Sequence, residues 1–218
     1  MAIPATRAHV EGAAGRIEVA AAIPHGARAV AVIAHPHPLY GGTMDNKVIT
    51  TLAKAYTDAG IAAFRFNFRG VGATEGVHDE GRGEGDDLLH VVAHARAAVP
   101  NVPLHLAGFS FGGAVATRAS DSVDFAQLIL VAPGFRRIAA HGMGEAPDPD
   151  DPALGSPGRH TTTNTMIVHG DRDDTVPLSD SIAWAAPREV PVVVVPGGEH
   201  FFHRKLHVLR EAVARWIR

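Results

Sequence analysis

Short apolar runs of strand length alternate with helix-length segments along most of this 218-residue chain, and that alternation leaves few folds open. Ala27 to Ala34 is an almost continuous small-apolar run, the pattern of a strand covered on both faces. Beyond it come a helix near Asn46 to Ala59, a strand at Ile61 to Phe66, a helix near Gly83 to Ala98 and a strand at Pro103 to Ala107. The pattern continues with a helix at Phe111 to Ala119, strands at Gln127 to Val131 and Thr165 to His169, and a helix near Ser179 to Ala186. A strand at Pro191 to Val195 and a helix at Phe202 to Ile217 complete it. Strand, helix, strand repeated this often implies right-handed crossovers, hence an α/β fold with a mostly parallel central sheet and helices on both faces. Upstream, alternating runs at Thr6 to Glu11 and Arg16 to Ile23, separated by Gly12 and Gly15, predict an antiparallel N-terminal hairpin.

A length of 218 residues with 46% hydrophobic and 20% charged residues suits one compact domain over residues 1–218. The exception to the pattern is 136–164, where Pro147, Pro149, Pro152 and Pro157 argue against a helical cap and predict a short irregular segment. A formal net charge of -3 leaves no basic field to neutralise many phosphates, so nucleic acid is not expected as a partner. Cysteine is absent, which excludes disulfides, thiolate metal ligands and a cysteine nucleophile. With no run of about 18 apolar residues and no secretory pattern at Met1 to Val10, no membrane partner is expected and the expected location is cytoplasmic. Nothing in the sequence sets the oligomeric state.

In an open parallel sheet, ligands bind at the carboxyl ends of the strands, and three of those ends carry chemistry. The run ending at Leu106 passes through Gly108-Phe109-Ser110-Phe111-Gly112-Gly113 into a small-residue helix. This is G-x-S-x-G in a strand-turn-helix setting, where Ser110 occupies a strained turn and the flanking glycines let strand and helix approach. The helix start also offers the Phe111 N–H to a developing oxyanion. A glycine-rich turn with an incidental serine is the alternative. A serine hydroxyl is a weak nucleophile and needs a base with an orienting group. The end of the Thr165 to His169 strand presents Asp171, Asp173 and Asp174, a cluster that elsewhere would read as turn chemistry. The turn Pro196-Gly197-Gly198-Glu199-His200 delivers His200, one of fourteen histidines. A zinc site at His200, His203 and His207 is the competing reading, but H-E-x-x-H is missing; no metal or other cofactor is expected.

These turns resemble the α/β-hydrolase family over most of the chain, from about Ala27 onward. His169-Gly170, Asp173 and Val176-Pro177 match its H-G-x-x-D-x-x-V-P pattern, and Asn67-Phe68-Arg69-Gly70-Val71-Gly72 looks like its D-x-R-G-x-G turn with asparagine for aspartate. The resemblance implies the α/β-hydrolase fold and a Ser110, Asp173, His200 triad. It places the second oxyanion donor after the strand ending at Ala34, in His35-Pro36-His37-Pro38-Leu39-Tyr40. The prolines remove two donors, so His37 comes first and Leu39 second. The likeness is to small members without a developed lid, associated with carboxylesterase, thioesterase and dienelactone-hydrolase-like activity. The implied partner is a small-molecule ester or thioester, with Tyr40, Phe109 and Phe201 as candidate apolar walls. A peptidase or amidase of the same fold and a catalytically silent binding protein are the alternatives. Arg69 is expected to tie down its own loop rather than bind an anionic group.

Overall fold

A computed structural model describes residues 3–137, 156 and 158–217. The elements in chain order are β1 (Thr6–Gly12), β2 (Gly15–Ala22), β3 (Val30–Ala34), α1 (Lys47–Asp58), β4 (Ala62–Phe66), α2 (Arg82–Ala98), β5 (Leu104–Phe109), α3 (Phe111–Ala119), β6 (Gln127–Val131), β7 (Thr165–Gly170), α4 (Leu178–Ala185), β8 (Val192–Val195) and α5 (Leu206–Trp216). They build one sheet in the order β1-β2-β4-β3-β5-β6-β7-β8. The pairs β1/β2 and β2/β4 are antiparallel and the rest are parallel. This is the mostly parallel sheet with an antiparallel N-terminal hairpin at one edge that the sequence pattern predicts, and the architecture that the resemblance to α/β-hydrolases implies.

Each central strand is apolar on both faces because helices cover both. On β3, Val30, Val32 and Ala34 join the core under α2, α3 and α4, while Ala31 and Ile33 join the core under α1 and α5. That two-sided burial explains why the strands read as continuous apolar runs rather than alternating ones.

The largest differences from expectation lie at two boundaries. The strand expected from Ala27 begins at Val30, because its ladder partners begin only there, at Ala62 of β4 and at Leu104 of β5 just after Pro103. The helix expected from Phe202 begins at Leu206. Phe202 and Arg204 have φ of 55° and 59°, left-handed values that no helix accommodates; they turn the chain so that Phe202 is fully buried. A one-turn 3-10 helix at Phe135–Arg137 leads into the 136–164 segment, most of which lies outside the described residues.

Candidate active site

Ser110 stands between β5 and α3 with φ 54° and ψ -120°, a region that costs a non-glycine residue of order 1–3 kcal/mol. The neighbouring packing holds it there. Ser110 N–H donates to Val131 O at 2.9 Å and its carbonyl accepts from Gly134 N–H at 2.8 Å. A Cβ on Gly108 would lie 2.2 Å from Gly112 O, and one on Gly112 would lie 2.3 Å from His35 O. The two glycines are therefore required by contact, and the end of β3, β5 and the first turn of α3 meet backbone to backbone.

The ends of β7 and β8 bring two further side chains to the serine. His200 Nε2 lies 3.2 Å from Ser110 Oγ, and His200 Nδ1 lies 2.8 Å from Asp173 Oδ2. Ser110 and His200 are 4% and 3% exposed, and the Asp173 side chain is fully buried. Asp173 Oδ1 closes an Asx-type turn by accepting from Thr175 N–H at 2.9 Å and Val176 N–H at 2.8 Å. Burial alone would raise this carboxyl, but hydrogen bonds from His169, His200 and Val176 outweigh it and hold the group well below the ordinary carboxylate range. An ionised carboxylate only accepts, so His200 Nδ1 carries the proton and Nε2 presents its lone pair to the serine hydroxyl. Such an arrangement can withdraw the hydroxyl proton. Among the described residues, no group of three or more His, Asp or Glu side chains converges as a metal site requires.

The His200 turn is tied to the Asp173 turn, since Asp171 Oδ1 accepts from Gly197 N–H at 2.6 Å. His169, matched to a pattern in the sequence but given no role there, is fully buried beneath Asp173. Its Nε2 lies 3.0 Å from Val176 O and 3.3 Å from Asp173 Oδ2, and its Nδ1 lies 2.7 Å from Ser181 Oγ. The spacing of His169 to Asp173 is a usable signal; the partner Ser181 has none.

A cavity of about 240 Å³ opens beside Ser110 and His200, lined on the β3 side by Pro36, His37, Tyr40 and Asn46, and on the other by Thr175 and Phe201. Tyr40 is 71% and Phe201 42% exposed, at the mouth. Phe109, the third residue expected as a wall, is fully buried and is not among the residues that line this cavity. It points to the opposite face of β5 from Gly108 and packs behind His200, ring centroids 4.9 Å apart. The Leu39 N–H is directed at His37 Nδ1, 3.3 Å away in the 3-10 turn. Phe111 is buried and its ring packs on that of His37 at 4.7 Å. Arg69 grips Asp87 of α2 through its backbone N–H, Nε and Nη2 at 3.0, 3.0 and 2.8 Å, so it fixes its own loop. Asn67 links Met44 N–H to Glu18 at 2.8 Å on each side.

A sequence profile of the alpha/beta hydrolase domain matches residues 27–213. An uncharacterised protein of Rickettsia prowazekii is 30% identical over 199 residues, 86% of this chain and 78% of that protein. A Xanthomonas campestris protein described as an a/b serine hydrolase without lid superposes with a TM-score of 0.85 at 33% identity, covering 100% of this chain and 95% of that one. An alpha-beta serine hydrolase homologue from Coxiella burnetii gives a TM-score of 0.82 at 36% identity over 100% of both chains. Est1E from Butyrivibrio proteoclasticus, solved with ferulic acid bound, shares the fold with a TM-score of 0.81 at 21% identity, over 96% of this chain and 97% of that one.

Proposed function

Since this chain belongs to the α/β-hydrolase family, we propose that it is a serine hydrolase cleaving small carboxylic esters or thioesters through a Ser110, His200, Asp173 triad. The observation that carries the reading is the continuous line from Ser110 Oγ to His200 Nε2 at 3.2 Å and from His200 Nδ1 to Asp173 Oδ2 at 2.8 Å. In this mechanism His200 takes the hydroxyl proton as Ser110 attacks the carbonyl carbon. The N–H groups of Phe111 and His37 stabilise the oxyanion, each donor being worth about 10²–10³ in rate. His200 returns the proton to the departing alcohol or thiol, and water then releases the acyl group by the same steps. Asp173 holds the tautomer and stabilises the imidazolium. Engagement of the Leu39 N–H within its own turn favours His37 as the second donor.

The cavity argues for the substrate's size and charge. An apolar cavity of about 150 Å³ takes up benzene, so one of about 240 Å³ accommodates an acyl group of roughly ten heavy atoms. Among the described residues no Lys, Arg, Asp or Glu lines it, which favours a neutral acyl group over an anionic one. The compactness of this cavity also favours esters over peptides, which need a longer cleft.

The test is hydrolysis of a series of p-nitrophenyl acyl esters and matching thioesters. The expected result is kcat/KM highest for short neutral acyl groups, falling beyond roughly ten heavy atoms, and lost in Ser110→Ala. Folded protein that turns over none of them, or Ser110→Ala at wild-type rate, would overturn the reading.

A further inference from the structure

His35 is fully buried at the carboxyl end of β3, next to the reaction yet touching none of Ser110, His200 and Asp173 through a hydrogen bond. Its Nε2 accepts from Phe68 N–H at 3.0 Å, so that nitrogen carries no proton. The proton therefore sits on Nδ1 and is donated to Pro36 O at 2.6 Å. Burial pushes this imidazole down to about 4, against the pull of the Pro36 carbonyl, so the neutral ring persists at neutral pH.

The Pro36 carbonyl and the His37 N–H belong to one peptide group. A trans peptide is planar with C=O and N–H pointing opposite ways, and no peptide among the described residues is cis. Pinning the carbonyl onto the buried ring turns the N–H the other way, toward the cavity shared by Pro36, His37 and Ser110. The rest of the loop reinforces that setting. Gly42 backs the same peptide, since a Cβ there would fall 2.0 Å from Pro36 O and 2.6 Å from Pro36 C. His37 O accepts from the N–H groups of Tyr40 and Gly42 at 3.2 and 3.1 Å. Proline on both sides stiffens the chain, and His37 takes φ -51° and ψ 123°, the extended form required before Pro38.

We propose that His35 is a positioning residue for acyl transfer: its Nδ1–H, acting through the Pro36 carbonyl, sets the plane of the peptide whose His37 N–H meets the oxyanion. This rests on Ser110 being the nucleophile and refines that reading. It also gives a role to the prolines on both sides of His37: rotation of this peptide is restricted by the ring behind it and the prolines around it.

Two variants separate the two hydrogen bonds of the ring. In His35→Asn the amide nitrogen takes the place of Nδ1 and keeps the donation to Pro36; in His35→Gln the amide oxygen takes the place of Nε2 and keeps only the contact with Phe68. The readouts are kcat and KM on a short p-nitrophenyl ester, and the inhibition constant of a trifluoromethyl ketone, which forms an anionic adduct with the serine. His35→Gln is expected to lose about 100-fold in kcat and in ketone affinity with KM changed by less than about threefold, and His35→Asn to recover to within about tenfold of wild type. Wild-type kcat in His35→Gln, equal loss in both variants, or a loss carried by KM overturns the proposal. If neither variant folds, Gly42→Ala, which drives a methyl against the Pro36 carbonyl, must show the same kcat loss, and an unchanged kcat there overturns it. Wild-type protein that is inert toward a fluorophosphonate would instead overturn the Ser110 reading beneath it.

Discussion

At Asp173, two backbone N–H groups, His200 Nδ1 and His169 Nε2 converge on one buried carboxylate. These donors stabilise the charged form more than burial destabilises it. Two predictions follow from that balance. Asp173→Asn keeps the shape but reverses the tautomer His200 must hold, so kcat should fall about 10⁴-fold, with KM little changed, in steady-state assays. The second concerns stability. A carboxyl whose folded pKa lies below its unfolded value contributes stability that is complete above about pH 4 and is lost as pH falls further, toward the folded value. The melting temperature of Asp173→Asn should therefore lie below wild type at pH 7, with the gap narrowing below pH 4; a gap that widens in acid would contradict this.

The β5-turn-α3 unit and the end of β3 act as one element, because Gly112 rests on His35 O. Gly112→Ala places a methyl against a backbone that cannot retreat without moving the 35–42 loop. It should cost about 1–3 kcal/mol in urea unfolding and slow fluorophosphonate labelling of the folded protein; a stable, normally labelled variant would show the loop to be softer than described. Elements were legible in the sequence where tertiary cover leaves a mark. Parallel strands buried on both faces are apolar throughout, and G-x-S-x-G or H-G-x-x-D announces a turn because only certain residues fit it. Boundaries set by partners were not legible: nothing within Ala27 to Ala29 says that β4 and β5 begin further on. Nor does the Phe202 turn reveal its positive φ. Ser110, Asp173 and His200 could be found from their turns, whereas His35 looks like any of fourteen histidines until its two partners are seen. Phe109 and Phe201 look equally apolar, and only strand direction sends the first into the core.

At the scale of the molecule, three imidazoles among the described residues are buried without the means to stay charged. His35, His105 and His160 are each held down to about 4, burial being the largest cause in every case. In the unfolded chain they protonate near pH 6.5. A group with a depressed folded pKa contributes stability above its unfolded value, lost as pH falls toward the folded one. Near pH 5 the unfolded state binds roughly three more protons, a slope of about 4 kcal/mol per pH unit. Calorimetry should show the melting temperature falling steeply between pH 6.5 and 4; a flat profile over that range would contradict the burial of neutral rings. The chemistry proposed here, in contrast, is concentrated at the carboxyl ends of β3, β5, β7 and β8, and one measurement reaches it directly. The protein is incubated with a fluorophosphonate, weighed intact and mapped by peptide, with His200→Ala alongside. The account predicts a single adduct, on Ser110, that His200→Ala does not form. A folded wild-type protein with no adduct, or an adduct on another residue, would contradict the assignment of Ser110 as nucleophile.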